Sequence, residues 1–135
     1  MKIFDTTMSL LEKTMDLRDA RHRIIASNIA NEETPGYRAH DLTFQDALSA
    51  ASKNRPAVVL QATHVRHIGL RGDRISQVDG RVSTVPVSDL PLDANSVNLE
   101  LEMAKLSENA MQYNTATTMV AQRFRQLLSA IRETR

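Results

Sequence analysis

The stretch ASNIANEETPGYRAHDL, residues 26–42, holds the first proline and the first glycine of the chain. Nothing before Thr34-Pro35-Gly36-Tyr37 opposes a helix. Proline disfavours helical geometry at the residue before it, here Thr34, and glycine takes the positive φ that a type II turn needs at its third position. The spacing therefore predicts one helix up to residue 34, stopped by a compact turn.

The remaining punctuation divides the rest of the chain. All four prolines (35, 56, 86, 91) and all four glycines (36, 69, 72, 80) lie between the two ends, which contain none. These residues break helices through a lost donor, a fixed φ or backbone entropy. The expected organisation is helix, irregular middle, helix, with boundaries at 1–34, 35–95 and 96–135. The fold class is mainly α, with two long terminal helices forming a coiled-coil-like layer.

Both ends carry heptad stripes. Phe4, Met8, Leu11, Met15, Arg18, His22, Ile25 and Ile29 recur at steps of four and three, and Ile3, Leu10, Leu17 and Ile24 form a second ridge. The C-terminal stripe is longer: Leu99, Met103, Leu106, Ala110, Tyr113, Thr117, Val120, Phe124, Leu127 and Ile131. Asn95, Ser96 and Asn98 are the best N-cap candidates for this helix. Glu100 and Glu102 in its first turn, and arginines 123, 125, 132 and 135 towards its end, suit the helix dipole. At about 1.5 Å per residue the helices should be roughly 40 and 55 Å long.

In the middle, AVVLQA (57–62) reads as a short strand and RISQVDGRVSTV (74–85) as a hairpin turning at Asp79-Gly80. TVPVSDLPLDANS (84–96) reads as extended linker.

The search for chemistry excludes more than it finds. Net charge is +1 and aromatics are 4% of the chain, so there is neither a basic field nor a stacking platform for nucleic acid. Cysteine is absent, which removes disulfides and thiolate metal sites. Asp5, Glu12 and Asp16 interrupt any secretory signal near the N-terminus, and no stretch approaches the apolar length of a membrane span. By those rules the protein stays where it is made. His64 and His67 lack a third ligand and read as loop histidines. Arg18, Arg21, His22 and Arg23 alternate with Asp16 and Asp19, the pattern of a salt-bridged helix face. Arg71-Gly72-Asp73 reads as a glycine turn. No catalytic residue, cofactor or metal is expected.

The stripes remain. Helical pairing of the two ends is the simplest use for them, but Leu101, Met111, Met119, Leu128 and the Ile3 ridge lie off the main seams. A two-helix contact buries one narrow seam each. The middle segment looks too thin and polar to cover the rest, so the pattern favours packing against other molecules over a closed monomer. One rival is a cytoplasmic helical-bundle adaptor binding a partner helix.

ASNIANEETPGY also closely resembles the N-terminal signature of the bacterial flagellar axial proteins, the rod and hook family, in which Ala-Asn-x-x-Thr-x-Gly-Tyr follows the first helix. DANSVNLELEM leading into NAMQY resembles that family's second signature, with Asn98 where Asp is frequent. The short middle segment is unlike the hook and distal-rod members, which carry inserted domains. The unbroken Thr34–Tyr37 run and the last helix look like a proximal rod protein. They lack the insertion and the arginine-tyrosine pair typical of the FlgC branch.

The resemblance implies a non-enzymatic subunit of the periplasmic drive shaft of the flagellar basal body, exported unfolded by the flagellar type III apparatus without a cleaved signal. It implies as partners other copies of the chain, the rod proteins FlgC, FlgF and FlgG, and the adaptor FliE, with no nucleic acid and no membrane span. Asn28, Asn31, Thr34, Pro35, Gly36 and Tyr37 then form an assembly turn. Tyr37 is expected against a helix with its hydroxyl bonded, and Asn28 and Asn31 on the turn's carbonyls. Met8, Leu11, Met15, Ile25, Ile29, Leu99, Met103, Leu106, Tyr113, Val120, Phe124, Leu127 and Ile131 form the helix-packing set.

Overall fold

The computed structural model describes residues 6–53, 75–86 and 95–133. The expected 57–62 strand, His64, His67 and the 71–73 turn lie outside the described residues, as do Ile3 and Phe4. Among the described residues there are five elements: α1 (Thr6–Ala30), β1 (His40–Thr43), α2 (Gln45–Ser52), β2 (Arg81–Thr84) and α3 (Leu99–Glu133). The chain is mainly helical, with a small antiparallel β pair in the middle.

The first helix stops at Ala30 and not at Thr34. An α-helix would bond the Asn31 carbonyl to the N–H of residue 35, which is proline and has none; its ring also clashes with that carbonyl. The breaker therefore acts one turn upstream. Shorter-range bonds replace the ladder: Asn31 N–H to Asn28 O at 3.1 Å, Glu32 N–H to Ile29 O at 3.2 Å and Thr34 N–H to Asn31 O at 3.1 Å. Tyr37 N–H then donates to Thr34 O at 3.2 Å, and Gly36 has φ +73°, the pattern of a type II turn. At the other end, Asn98 is the N-cap of α3, its Oδ1 accepting the Leu101 N–H at 3.1 Å.

The antiparallel pair differs from the local hairpin expected around Asp79-Gly80. β2 pairs with β1, with His40 opposite Thr84 and Thr43 opposite Arg81. Residues 75–77 form a turn closed by Val78 N–H to Ile75 O at 3.2 Å. Ile75 and Val78, three apart, are both buried, and one tight turn buries such a pair where an alternating strand would send them to opposite faces. The sequence reading also missed β1 and α2.

Leu17 and Ile24 of the second α1 ridge are covered from within the chain. Leu17 packs with Leu42 of β1, Phe44 and Val78, and Ala20, Ile24, Leu48 and Ala51 pack around them. The middle segment is polar on average but places three large apolar side chains on that ridge, so this part of the expectation for outside partners is overturned. A Cβ on Gly80 would lie 2.7 Å from Leu42 Cδ1, so any larger residue there would force the Leu42 side chain to shift.

α1 and α3 run antiparallel and form the largest interface of the fold. The terminal helices do complete one seam with each other, contrary to the preference for outside partners there. That seam is not centred on the stripe read from the sequence. The fully buried row of α3 is Glu102, Asn109 and Ala116, each one residue before Met103, Ala110 and Thr117 and so about 100° round the helix from them. Leu106, Tyr113, Val120 and Leu127 are half-buried at its edge. Leu99, Met103, Phe124 and Ile131 are 37%, 52%, 47% and 66% exposed. On α1, Met8 and Ile25 are buried and Leu11, Met15 and Ile29 half-buried.

Gly80→Ala should destabilise the fold by about 1–3 kcal/mol, because the added methyl overpacks Leu42. A lower urea midpoint with an unchanged slope measures this.

Candidate assembly site: a polar clamp and an open apolar strip

Asn28 is wholly buried at the end of α1. Its Nδ2 donates to the His40 carbonyl at 2.7 Å and to Glu102 Oε2 at 2.9 Å. Its Oδ1 accepts the His40 N–H at 3.1 Å and the Tyr37 hydroxyl at 3.3 Å. An asparagine amide has two donors and two acceptor lone pairs, and all four are taken. The tyrosine lies half-buried against its own helix, 3.4 Å from the Ser27 hydroxyl, its ring edge-on to His40.

The carbonyls of the turn are held by a residue not assigned to them from sequence. Asn95 Nδ2 lies within hydrogen-bond distance of Asn31 O (3.1 Å), Glu32 O and Thr34 O (2.9 Å), its two N–H groups shared among the three carbonyls. Asn31 bonds locally instead, donating to Ser27 O at 2.8 Å and accepting from the Thr34 hydroxyl at 3.2 Å. Ser96 extends the clamp. Its N–H donates to Tyr37 O at 3.1 Å and its hydroxyl accepts the Ala39 N–H at 2.8 Å. Pro35 and Gly36 are exposed on the turn and contribute backbone shape only.

Charged and polar groups continue the clamp along the seam. Buried Glu102 also takes a 2.6 Å ion pair from Lys105. Asn109 donates to the Arg18 carbonyl at 2.8 Å and faces the Arg18 guanidinium at 3.5 Å. Arg18 lies 5.5 Å from the Phe44 ring centroid. Burial lowers its pKa first, the nearby Arg21 charge lowers it further, and Glu108 opposes both.

Arg21 grips Asp41 of β1 with two bonds, 2.8 and 2.9 Å. The hydrogen bond to Asp41 raises the Arg21 pKa against desolvation. Burial pushes the Asp41 carboxyl up, but Arg21, the Leu42 N–H and Lys105 together hold it below its usual value. The sequence signal for this network was present but faint: Arg18 interrupts the α1 stripe, and Glu102 and Asn109 stand seven apart on α3.

Opposed to the clamp is an open strip. Leu99, Met103, Phe124, Leu128 and Ile131 follow one edge of the α3 seam, with Leu101, Met111 and Met119 farther round. The hydroxyls of Ser107, Thr115, Thr117 and Thr118 turn back onto carbonyls four residues earlier, at 2.8 to 3.0 Å. Those side chains thus spend their polarity inside the helix. Among the described residues no group of His, Asp and Glu could hold a metal ion, and no helix is long and apolar enough to cross a membrane.

These features describe a helical structural module, with one seam closed by a polar clamp and a second apolar strip left for contact. No family model matches the chain. Proteins described as flagellar basal body rod protein FlgB do match it along nearly their whole length. The Cereibacter sphaeroides protein is 31% identical over 129 residues, covering 96% of each chain. The Bacillus subtilis protein is 28% identical over 133 residues, 97% of each, and that of Aeromonas hydrophila 27% over 129, 96% of this chain and 95% of its own. At this identity and coverage the chain belongs to the FlgB family of flagellar basal body rod proteins.

Asn28→Ala should cost about 3 kcal/mol, since it strands a buried carboxylate oxygen and two backbone groups. Asn31→Ala, whose bonds are local and exposed, should cost about 1 kcal/mol or less; paired thermal melts compare them. The Arg21–Asp41 pair makes a pH prediction. A folded-state carboxyl held below its unfolded value of about 3.9 stabilises fully above that value and loses this contribution as pH falls through the lower, folded one. Asp41→Asn should therefore be less stable near neutrality and show a shallower loss of stability below about pH 4, followed by circular dichroism.

Proposed function

We propose that this chain is a structural subunit of the proximal rod, assembling helically with copies of itself and with FlgC, FlgF, FlgG and the adaptor FliE. In that reading the rod crosses the periplasm and transmits motor torque. The subunit reaches it through the flagellar type III apparatus, as an unfolded chain without a cleaved signal, and it catalyses nothing.

The observation that carries the reading is the offset between the apolar strip of α3 and the seam that α1 covers. Large apolar side chains exposed towards both ends of α3, with Ala110 and Thr117 between them on the same row, suit an unfinished interface, and membership of a basal body rod family supports assembly as what finishes it. The clamp serves the same end. It fixes the angle between α1 and α3 through buried polar groups that, Arg18 Nε apart, are hydrogen-bonded, so the strip is presented as a rigid edge. Interdigitated helices resist twist because sliding unmatches their side chains. The turn at Thr34–Tyr37 and the packing residues from Met8 to Ile131 are the assembly elements of this reading, with residues 35–95 a short outer insert.

Val120→Asp, at the border of seam and strip, should leave soluble chain but remove it from basal bodies and abolish swimming. Tyr37→Ala should reduce incorporation more than export, measured as chain in basal bodies against chain in the medium. Equal loss of both would tell against an assembly role for the tyrosine.

A further inference from the structure

Far from the clamp, a groove of 300 Å³ is lined by Met8 and Met15 of α1 and Val120 and Phe124 of α3, with Glu12 and Asp16 on its α1 side. Both carboxylates are exposed, and neither has an ion pair among the described residues. Standing four apart on a helix they repel each other. The same chain carries the complement. Towards the end of α3, Arg125 and Arg132 stand two turns apart on one face, with Leu128 between them and Ile131 alongside. Both arginines are exposed, as are Leu128 at 53% and Ile131 at 66%.

Resting on the rod reading above, we propose that the Glu12–Asp16 groove receives the Arg125–Arg132 face of α3 from a second copy of this chain. The groove's acid pair would meet the arginine pair, while Leu128 enters beside Met15 and Val120. The groove and the tail lie at the same end of the helical pair. A parallel neighbour brings its tail into the groove when displaced by roughly seven residues of helix, about 10 Å along the axis. Such a contact joins two different patches, so it does not close on itself: each copy offers a groove to one neighbour and a tail to the next. Charge excludes the opposite arrangement of groove against groove, which would oppose four carboxylates.

Because the chain has no cysteine, paired single substitutions test this cleanly. Full-length Glu12→Cys and Arg132→Cys chains are co-expressed in a flagellated bacterium lacking its own copy, and basal bodies are isolated and mildly oxidised. A covalent dimer from the mixture, and from neither chain alone, is the expected result. Adding Asp16→Arg to the Glu12→Cys chain should lower the dimer yield about fivefold, and Arg125→Glu on the partner chain should restore it. Equal dimer from each chain alone would indicate random collision and overturn the contact. Chains present in basal bodies without a mixed dimer would overturn the contact and leave the rod reading standing. Absence of the wild-type chain from basal bodies would overturn both.

Discussion

Asn28 has no exposed surface, and all four of its hydrogen-bonding positions are occupied by groups from three other parts of the chain. It ties the end of α1 to the tyrosine turn, to the first residue of β1 and to the first turns of α3. A buried amide costs free energy unless each donor and acceptor is met. The only arrangement that meets them all puts these four pieces in fixed relation. Asn95 adds a constraint from the opposite side, its two N–H groups shared among three carbonyls of the turn. Together they make the helix junction a polar lock in a chain with few large apolar anchors.

That lock explains why the seam between the helices is polar where hydrophobic packing was expected. Glu102, Asn109 and Arg18 occupy positions at which leucines would bury more apolar area. Their bonds are directional, so they set rotation and register, whereas apolar side chains tolerate slippage. Fixing rotation has a consequence for the rest of α3. With Glu102, Asn109 and Ala116 turned to α1, the apolar row one residue later is displaced from the seam and lies open. The polar choice at the interface and the exposed strip are one decision seen from two sides.

The middle segment, thin and polar by composition, covers part of α1. Leu42, Phe44 and Val78 cover Leu17 and Ile24 of the second α1 ridge, and Gly80 lets the backbone pass close to Leu42. Arg21 and Asp41 pin β1 to α1 at the rim of that patch. The apolar surface left over therefore concentrates on α3, in the strip and around the groove at the far end.

Much was legible in the residues alone. The two long helices and the type II turn at Pro35-Gly36 follow from local chemistry: proline's missing donor, glycine's positive φ and heptad periodicity; the family was legible separately, as a resemblance of two terminal stretches. Periodicity reports which residues share a face, and it does so because helix geometry is set by the backbone. It does not report the angle at which that face meets a neighbour, so the rotation of α3 by one residue was invisible. Nor could it show that β2 pairs across 38 residues with β1 or that Asn95 reaches the turn. Those depend on polar groups far apart in sequence finding each other once water is excluded, and only the tertiary structure brings them together.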